Sequence, residues 1–542
     1  MGVLEFKHIF FRSFFGSNGA SQVLFTFLLI PCCLTKDFRA HPFLPNISFL
    51  WAWNAPTQPC FKRFNVLIDL SLFSLIGNPQ KGAKEQPITL FYVDRLGLYP
   101  HIDKHGKSHN GGIPQLGNLT KHLEKAKKDI AFYMPTDKPG LAVIDWEEWR
   151  PIWARNWKPK DIYRTKSVDL VKLQHPQISD KDANDLAKEN YEKEGRNFMQ
   201  ETLILGKSFR PGSLWGYYLF PDCYNHQYSK PDYSGHCFEI EKRRNNELNW
   251  LWNESTALFP SIYLNTNLMS SPKTALFVRN RVQEAIRVST VRSVESPLPI
   301  FLYARPVFTD ESSKYLTEED LVSTLGETVS LGASGIIIWG SLNLSQSLVA
   351  CTNLQSYMNS TLGPYIINVT LASKICSQVF CQDKGLCTRK EWNSSTYLHL
   401  NPVNFAIEIG ENGKFKVKGK PSVEDLKHFA KEFHCSCYAN SNCEKEVDLR
   451  KKLNVDVCVI EDVCVTTVLN SENEIFHSNL PLMLFHGRQV KSPGTKEWTI
   501  HPAKPQTQCY DSGRCELSGG RLTFLVALEK ASQGSNKITL DL

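Results

Sequence analysis

The chain has 542 residues and a formal net charge of +7, with 42% hydrophobic and 22% charged side chains. That length accommodates two or three domains, and that balance excludes an intrinsically disordered chain. After residue 40 no run reaches the roughly 20 apolar residues of a membrane helix.

Residues 1–35 read as a secretory signal, with Lys7 and Arg12 as the basic region and the apolar run from Val23 to Leu34 behind it. A signal anchor is the alternative, although the run is short for a span. Of the sixteen cysteines, Cys32 and Cys33 fall within the signal, and the even remainder fits disulfides formed in an oxidising compartment. Sequons at Asn46, Asn118, Asn253, Asn343, Asn359, Asn368 and Asn393 agree with passage through a secretory pathway. The final residues are polar and mixed, unlike a lipid-anchor signal, so a soluble end is expected.

Strand-like segments follow at 48–53, 88–93, 129–134, 141–145, 214–220, 259–264, 300–303 and 335–339. Helical patterns lie between several of them, at 119–128, 182–205, 273–288 and 317–331, the last opening on the cap-like Thr317-Glu318-Glu319-Asp320. Repeated alternation over residues 36–370 implies an α/β domain with a parallel sheet, at the size of a (β/α) barrel. A doubly wound sheet is the alternative, without a Gly-rich phosphate loop after its first strand.

Leu141-Ala142-Val143-Ile144 runs straight into Asp145-Trp146-Glu147-Glu148-Trp149. An apolar run of this kind suits a strand buried on both faces. Residues two apart on a strand share a face, so Asp145 and Glu147 point one way and Glu148 the other. Two carboxyls at a strand's carboxyl end, among aromatic platforms, suit cleavage of a sugar chain. The competing reading is an N-cap acid followed by the acidic first turn of a helix. Trp51, Trp53, Tyr92, Trp215, Tyr217, Tyr218, Tyr263 and Trp339 recur near the ends of successive strands, where aromatic faces can stack on sugar rings. Taken singly, each is better explained as core.

After residue 370 the periodicity changes. Residues 371–466 carry Cys376, Cys381, Cys387, Cys435, Cys437 and Cys443, then the pair Cys458 and Cys464. This spacing reads as a disulfide-dependent module without an evident apolar core. Zinc is the rival reading, but paired C-x2-C ligands are missing. Gly410 to Lys414 looks like a hairpin turn. Residues 467–542 read as a tail, irregular or disordered, with Cys509 and Cys515 as a local bridge.

Several blocks resemble the animal hyaluronidases: Phe49-Leu50-Trp51-Ala52-Trp53-Asn54-Ala55-Pro56, Phe91-Tyr92-Val93-Asp94-Arg95-Leu96-Gly97, and Ala142 to Pro151. Trp215 to Asn225 and Leu258 to Tyr263 add to the likeness, which spans about residues 40–465 and is strongest toward the sperm (testicular) type. The resemblance implies a distorted (β/α) barrel followed by an EGF-like module. It also implies hydrolysis of β-1,4 bonds in hyaluronan, with chondroitin as a weaker substrate, retention through the substrate's acetamido group, and a role in passing the egg's coat. In that scheme Glu147 is the general acid, Asp145 steers the acetamido group, and Tyr218 and Tyr263 hold it. Arg281 grips a glucuronate, while Trp339, Tyr92 and Trp146 line the groove. The implied disulfides are Cys60–Cys351, Cys223–Cys237, Cys376–Cys387, Cys381–Cys435, Cys437–Cys443 and Cys458–Cys464. The expected partners are hyaluronan, chondroitin sulfate and the zona pellucida, with no nucleic acid, cofactor or metal, on a monomer. The expected place is the secretory pathway, either secreted or at the sperm surface.

Spacing along the strand does not choose between retaining and inverting carboxyl pairs. Packing between indoles and a nearby carboxylate predicts a raised pKa for Glu147. Lys158, Lys160, Arg243, Arg244, Arg279, Arg281 and Arg287 are candidates for a basic groove, against a solvated surface for most. A non-catalytic adhesion protein on the same scaffold is the second functional reading; the intact acids favour catalysis.

Overall fold

The structure, a computed structural model, describes residues 37–410, 413–443 and 447–469. The expected signal, most of the expected tail, and Cys509 and Cys515 lie outside them.

Seven strands run parallel: β1 (Leu50–Asn54), β2 (Leu75–Ile76), β3 (Ile88–Tyr92), β4 (Gly140–Asp145), β5 (Ser213–Tyr217), β6 (Phe301–Ala304) and β7 (Gly335–Trp339). They hydrogen-bond in the orders β2-β1-β7-β6 and β3-β4-β5. Residues 258–261 connect the two rows through single bridges, Tyr218 to Phe259, Leu258 to Ile300 and Ser261 to Tyr303. The strand expected at 259–264 is therefore absent as a ladder, because Pro260 has no N–H to donate. On the remaining side Gly77, just beyond β2, comes so close to Ile88 that an added Cβ would lie 3.0 Å from the Ile88 Cβ. The last strand pairs with the first along its whole length. β2 and β3 approach at Gly77 without hydrogen-bonding, and elsewhere strands adjacent in the chain lie side by side with no reversal of order, unlike a doubly wound sheet.

The expected strand at 129–134 is helix. Leu119–Tyr133 is one α-helix, capped by Asn118, whose side chain accepts from Lys121 N at 3.0 Å. Its buried positions 122, 126, 129, 130 and 133 keep the helical period through the apolar stretch that reads as β. Helices at Asp180–Phe209 and Pro272–Ser289 extend the expected ones, and Asp161–Gln174 adds one. The Thr317–Asp320 capping box opens a helix that continues through a π turn to Ser330.

Two apolar cores follow from the two-residue strand period. Leu50, Ala52, Ile88, Leu90, Leu141, Val143, Phe301, Tyr303 and Ile337 pack together inside the ring. Their alternates, among them Trp51, Trp53, Phe91, Ala142, Ile144, Trp215, Tyr217 and Leu302, face outward into the helices.

The helix Gly363–Cys381 crosses the expected boundary at 370/371, so the barrel-sized part and the cysteine-rich part share an element. Disulfides join Cys60–Cys351, Cys223–Cys237, Cys376–Cys387, Cys381–Cys435, Cys437–Cys443 and Cys458–Cys464. The cysteine-rich part does have apolar packing, contrary to the sequence reading. Leu398, Leu400, Phe405, Phe415, Leu426 and Phe429 are buried and continuous with the outer core. Strands Phe405–Ile409 and Phe415–Gly419 form the hairpin expected around 410–414. The strand Val463–Leu469 carries regular structure past residue 466.

One ionic cluster ties the two parts. Glu327, fully buried, accepts from Arg279 at 2.7 Å and from Arg389 at 2.9 Å, Arg389 lying on the strand Gly385–Arg389. Replacing Glu327 with Ala would leave two buried guanidinium groups unmatched. We expect a loss of about 3–5 kcal/mol of stability, read from urea unfolding, with Glu327→Gln losing less.

Candidate active site

Because the strands are parallel and in register, their carboxyl ends lie on one rim. Tyr92 pairs with Asp145, Ile338 with both Trp53 and Ala304, and Trp339 with Asn54. Continuing the inward face of each strand to that rim brings Asn54, Tyr92, Asp145, Tyr218, Tyr263 and Trp339 over the inner core. Tyr92, Tyr218, Tyr263 and Trp339 do pack on that core while each stays half-buried. By the same parity Trp51, Trp53, Trp215 and Tyr217 are outward and fully in the core, so they are not sugar platforms.

The aromatic rim is a connected set. Trp339 Nε1 donates to the Tyr92 hydroxyl at 3.1 Å, and the Trp339 ring stacks 6.1 Å from Tyr263. Tyr263 lies 6.1 Å from Tyr218, which meets Tyr303 edge-on at 5.1 Å. Burial raises the hydroxyl pKa of Tyr92 to about 12 and those of Tyr218 and Tyr263 further, so all three stay protonated donors.

Asp145 ends β4, and the chain then bends rather than starting a helix, which removes the N-cap reading. Burial, and next the charges of Glu147 and Glu148, raise its pKa from 3.8 to about 8. Glu147 lies beyond the strand and is exposed. Its carboxylate accepts from Arg150 Nη2 at 3.2 Å, while its backbone carbonyl accepts from Lys160 Nζ and, at 3.0 Å, from Arg150. The burial that the sequence reading assigned to Glu147 thus falls on Asp145. Both carboxylates act electrostatically on Tyr92 and on Tyr218, so the two acids and the two phenols share one neighbourhood.

The chain belongs to the hyaluronidase family. Its family pattern matches residues 38–447, covering the whole ring of strands and most of the cysteine-rich part. The chain is 58% identical over 491 residues to human hyaluronidase PH-20, covering 89% of this chain and 96% of that one. It is 57% identical over 533 residues to mouse hyaluronidase-5, with 98% and 99% covered. A crystal structure of bee venom hyaluronidase matches with TM-score 0.52 at 34% identity, over 59% of this chain and 99% of that one. The same bee enzyme in complex with a hyaluronic acid tetramer matches with TM-score 0.50 at 33% identity, over 59% and 98%. Membership makes the chain a glycoside hydrolase, consistent with paired carboxyls on an aromatic rim. Among the described residues no helix is long and apolar enough to cross a membrane.

Two expected groove residues of this hydrolase sit elsewhere. Trp146 is buried, stacked 4.4 Å from Tyr99 and edge-on to His122 and Tyr217, so it supports the acidic loop from beneath. Arg281 is also buried. It donates to Asn225 Oδ1, to the Ser261 carbonyl and to His226 Nε2, each at 2.9 Å, and lies 3.5 Å from Asp222. With those partners it braces the loop that carries Tyr263. Of the other basic candidates, Arg279, Arg244 and Arg287 are paired with Glu327, Glu241 and Glu284; Lys160 stands beside Glu147. Sequence reading missed Arg305. It lies two residues beyond Tyr303 on the inward face, and its guanidinium is 5.4 Å from the Trp339 ring. The parity that links Asp145 to Glu147 would have found it.

Two outcomes follow. Because the folded pKa of Asp145 is raised, its stability contribution is complete below pH 3.8 and lost as pH rises through about 8. Asp145→Asn cannot ionise, so it should gain stability relative to the parent across that window, as urea unfolding at stepped pH would show. Arg281→Ala should cost about 1–3 kcal/mol through lost hydrogen bonds to Asn225 and the Ser261 carbonyl, Asp222 keeping Arg155 nearby, and leave the salt dependence of KM unchanged. A flattened salt dependence would restore the glucuronate contact.

Proposed function

We propose that the chain cleaves β-1,4 N-acetylglucosaminide bonds within hyaluronan, and those of chondroitin more slowly, with retention at the anomeric carbon. The strand ring is then the family's distorted (β/α) barrel and the cysteine-rich part its EGF-like module. The supporting observation is the unequal carboxyl pair on one rim, Asp145 drawn in and Glu147 open to solvent.

In this reading Glu147 gives its proton to the glycosidic oxygen as the C1–O bond breaks. The acetamido carbonyl oxygen of the same sugar closes on C1, and positive charge spreads to its nitrogen. Asp145 in its ionised form accepts the acetamide N–H. Burial disfavours that ion in the empty site, and the developing cation offsets the penalty. Tyr218 and Tyr263, kept protonated, donate to the acetamido group. Water then adds to C1 from the vacated side as the C1–O bond to the acetamido oxygen breaks and the acetamide is restored; the water's proton goes to Glu147, giving two inversions and net retention. A secreted or surface-bound enzyme of this kind would open the hyaluronan-rich coat around an egg, in keeping with the likeness to PH-20.

Glu147→Gln should keep the fold and hyaluronan binding while lowering turnover by about 10²–10⁴-fold. Reducing-end release, with binding followed separately on the polymer, reads both. Near-parental kcat in that variant would remove Glu147 from the acid role.

A further inference from the structure

On the reading of the site as a hyaluronan hydrolase, we propose that Arg305 is its substrate-carboxylate contact, binding a glucuronate on the Tyr263–Trp339 side of the rim. The position follows from strand parity. Phe301 and Tyr303 face the inner core, whereas Leu302 and Ala304 face the helices. Arg305 is next on the inward side, where β6 has ended, and it is half-buried. Its guanidinium lies 5.8 Å from the Tyr263 ring and 5.4 Å from the Trp339 ring.

Its surroundings differ from those of the other arginines near the site. Arg281 faces Asp222, Arg279 and Arg389 face Glu327, and Arg150 faces Glu147. Arg305 is buried beside the neutral phenols of Tyr263 and Tyr218, and among the described residues no carboxylate is paired with it. Its Nε is buried and makes no hydrogen bond. A desolvated guanidinium with open donors is a site for an incoming anion, and its planar fork suits a carboxylate held bidentately. The adjoining rings give a sugar face somewhere to stack, so charge and ring recognition fall together. The polymer presents one carboxylate per disaccharide.

Kinetics with hyaluronan and with carboxyl-reduced hyaluronan, in which glucose replaces glucuronate, test this for the parent, Arg305→Gln and Arg305→Lys. In Arg305→Gln, KM for hyaluronan should rise about tenfold or more, as for a lost charge-assisted hydrogen bond. KM for the reduced polymer should stay near the parental value, and Arg305→Lys should fall between on hyaluronan. Equal losses on both polymers would make Arg305 a support for the aromatic rim and overturn the contact. An unchanged KM for hyaluronan in Arg305→Gln would overturn it as well. Failure of the parent to cut hyaluronan would instead defeat the hydrolase reading.

Discussion

Everything at the rim depends on the alternation of side chains along strands that are hydrogen-bonded in parallel register. Because the inward faces of both rows pack on one core, each inward position must be apolar in the middle and is released from that demand only at the ends. Val143 is buried and Asp145, two residues on, is not wholly so. The same step separates Leu90 from Tyr92 and Ile337 from Trp339. A one-residue slip of β4 would send Asp145 out of the inward face and toward the helix layer. Register is therefore held by the cost of burying the wrong residue.

Much of this was legible in the sequence because strand ends are chemical boundaries. The run from Leu141 to Asp145 and the strand Gly335–Trp339 read correctly, since β-branched runs ending on polar or aromatic residues have few other uses. Residues 129–134 misread because Ile130, Phe132 and Tyr133 fit either period over six positions, and only the longer spacing back to His122 resolves them. At 259–264 the pattern was right about placement and wrong about hydrogen bonding, owing to Pro260.

The site was legible in its acids and less so in its surroundings. Asp145 and Glu147 could be named as a pair, but which would be buried depended on where β4 stops, a boundary the sequence leaves open by a residue or two. Arg281 and Trp146, expected along the groove, are buried against protein partners instead, for a common reason. A charged or aromatic residue near a site can serve substrate or scaffold, and only its partners decide. Arg281 has three hydrogen-bonding partners, while Arg305 has open donors.

The pairing of β1 with β7 has a temporal side. Cys60 and Cys351, joined across 291 positions, sit just after those two strands. During synthesis β1 emerges early and must wait, one side unmatched, until nearly the whole ring has left the ribosome. Contacts so distant in sequence form slowly, and exposed strand edges invite association meanwhile. Newly made chains are thus most vulnerable in the interval before β7 arrives, and chaperones that shield extended segments would matter most then.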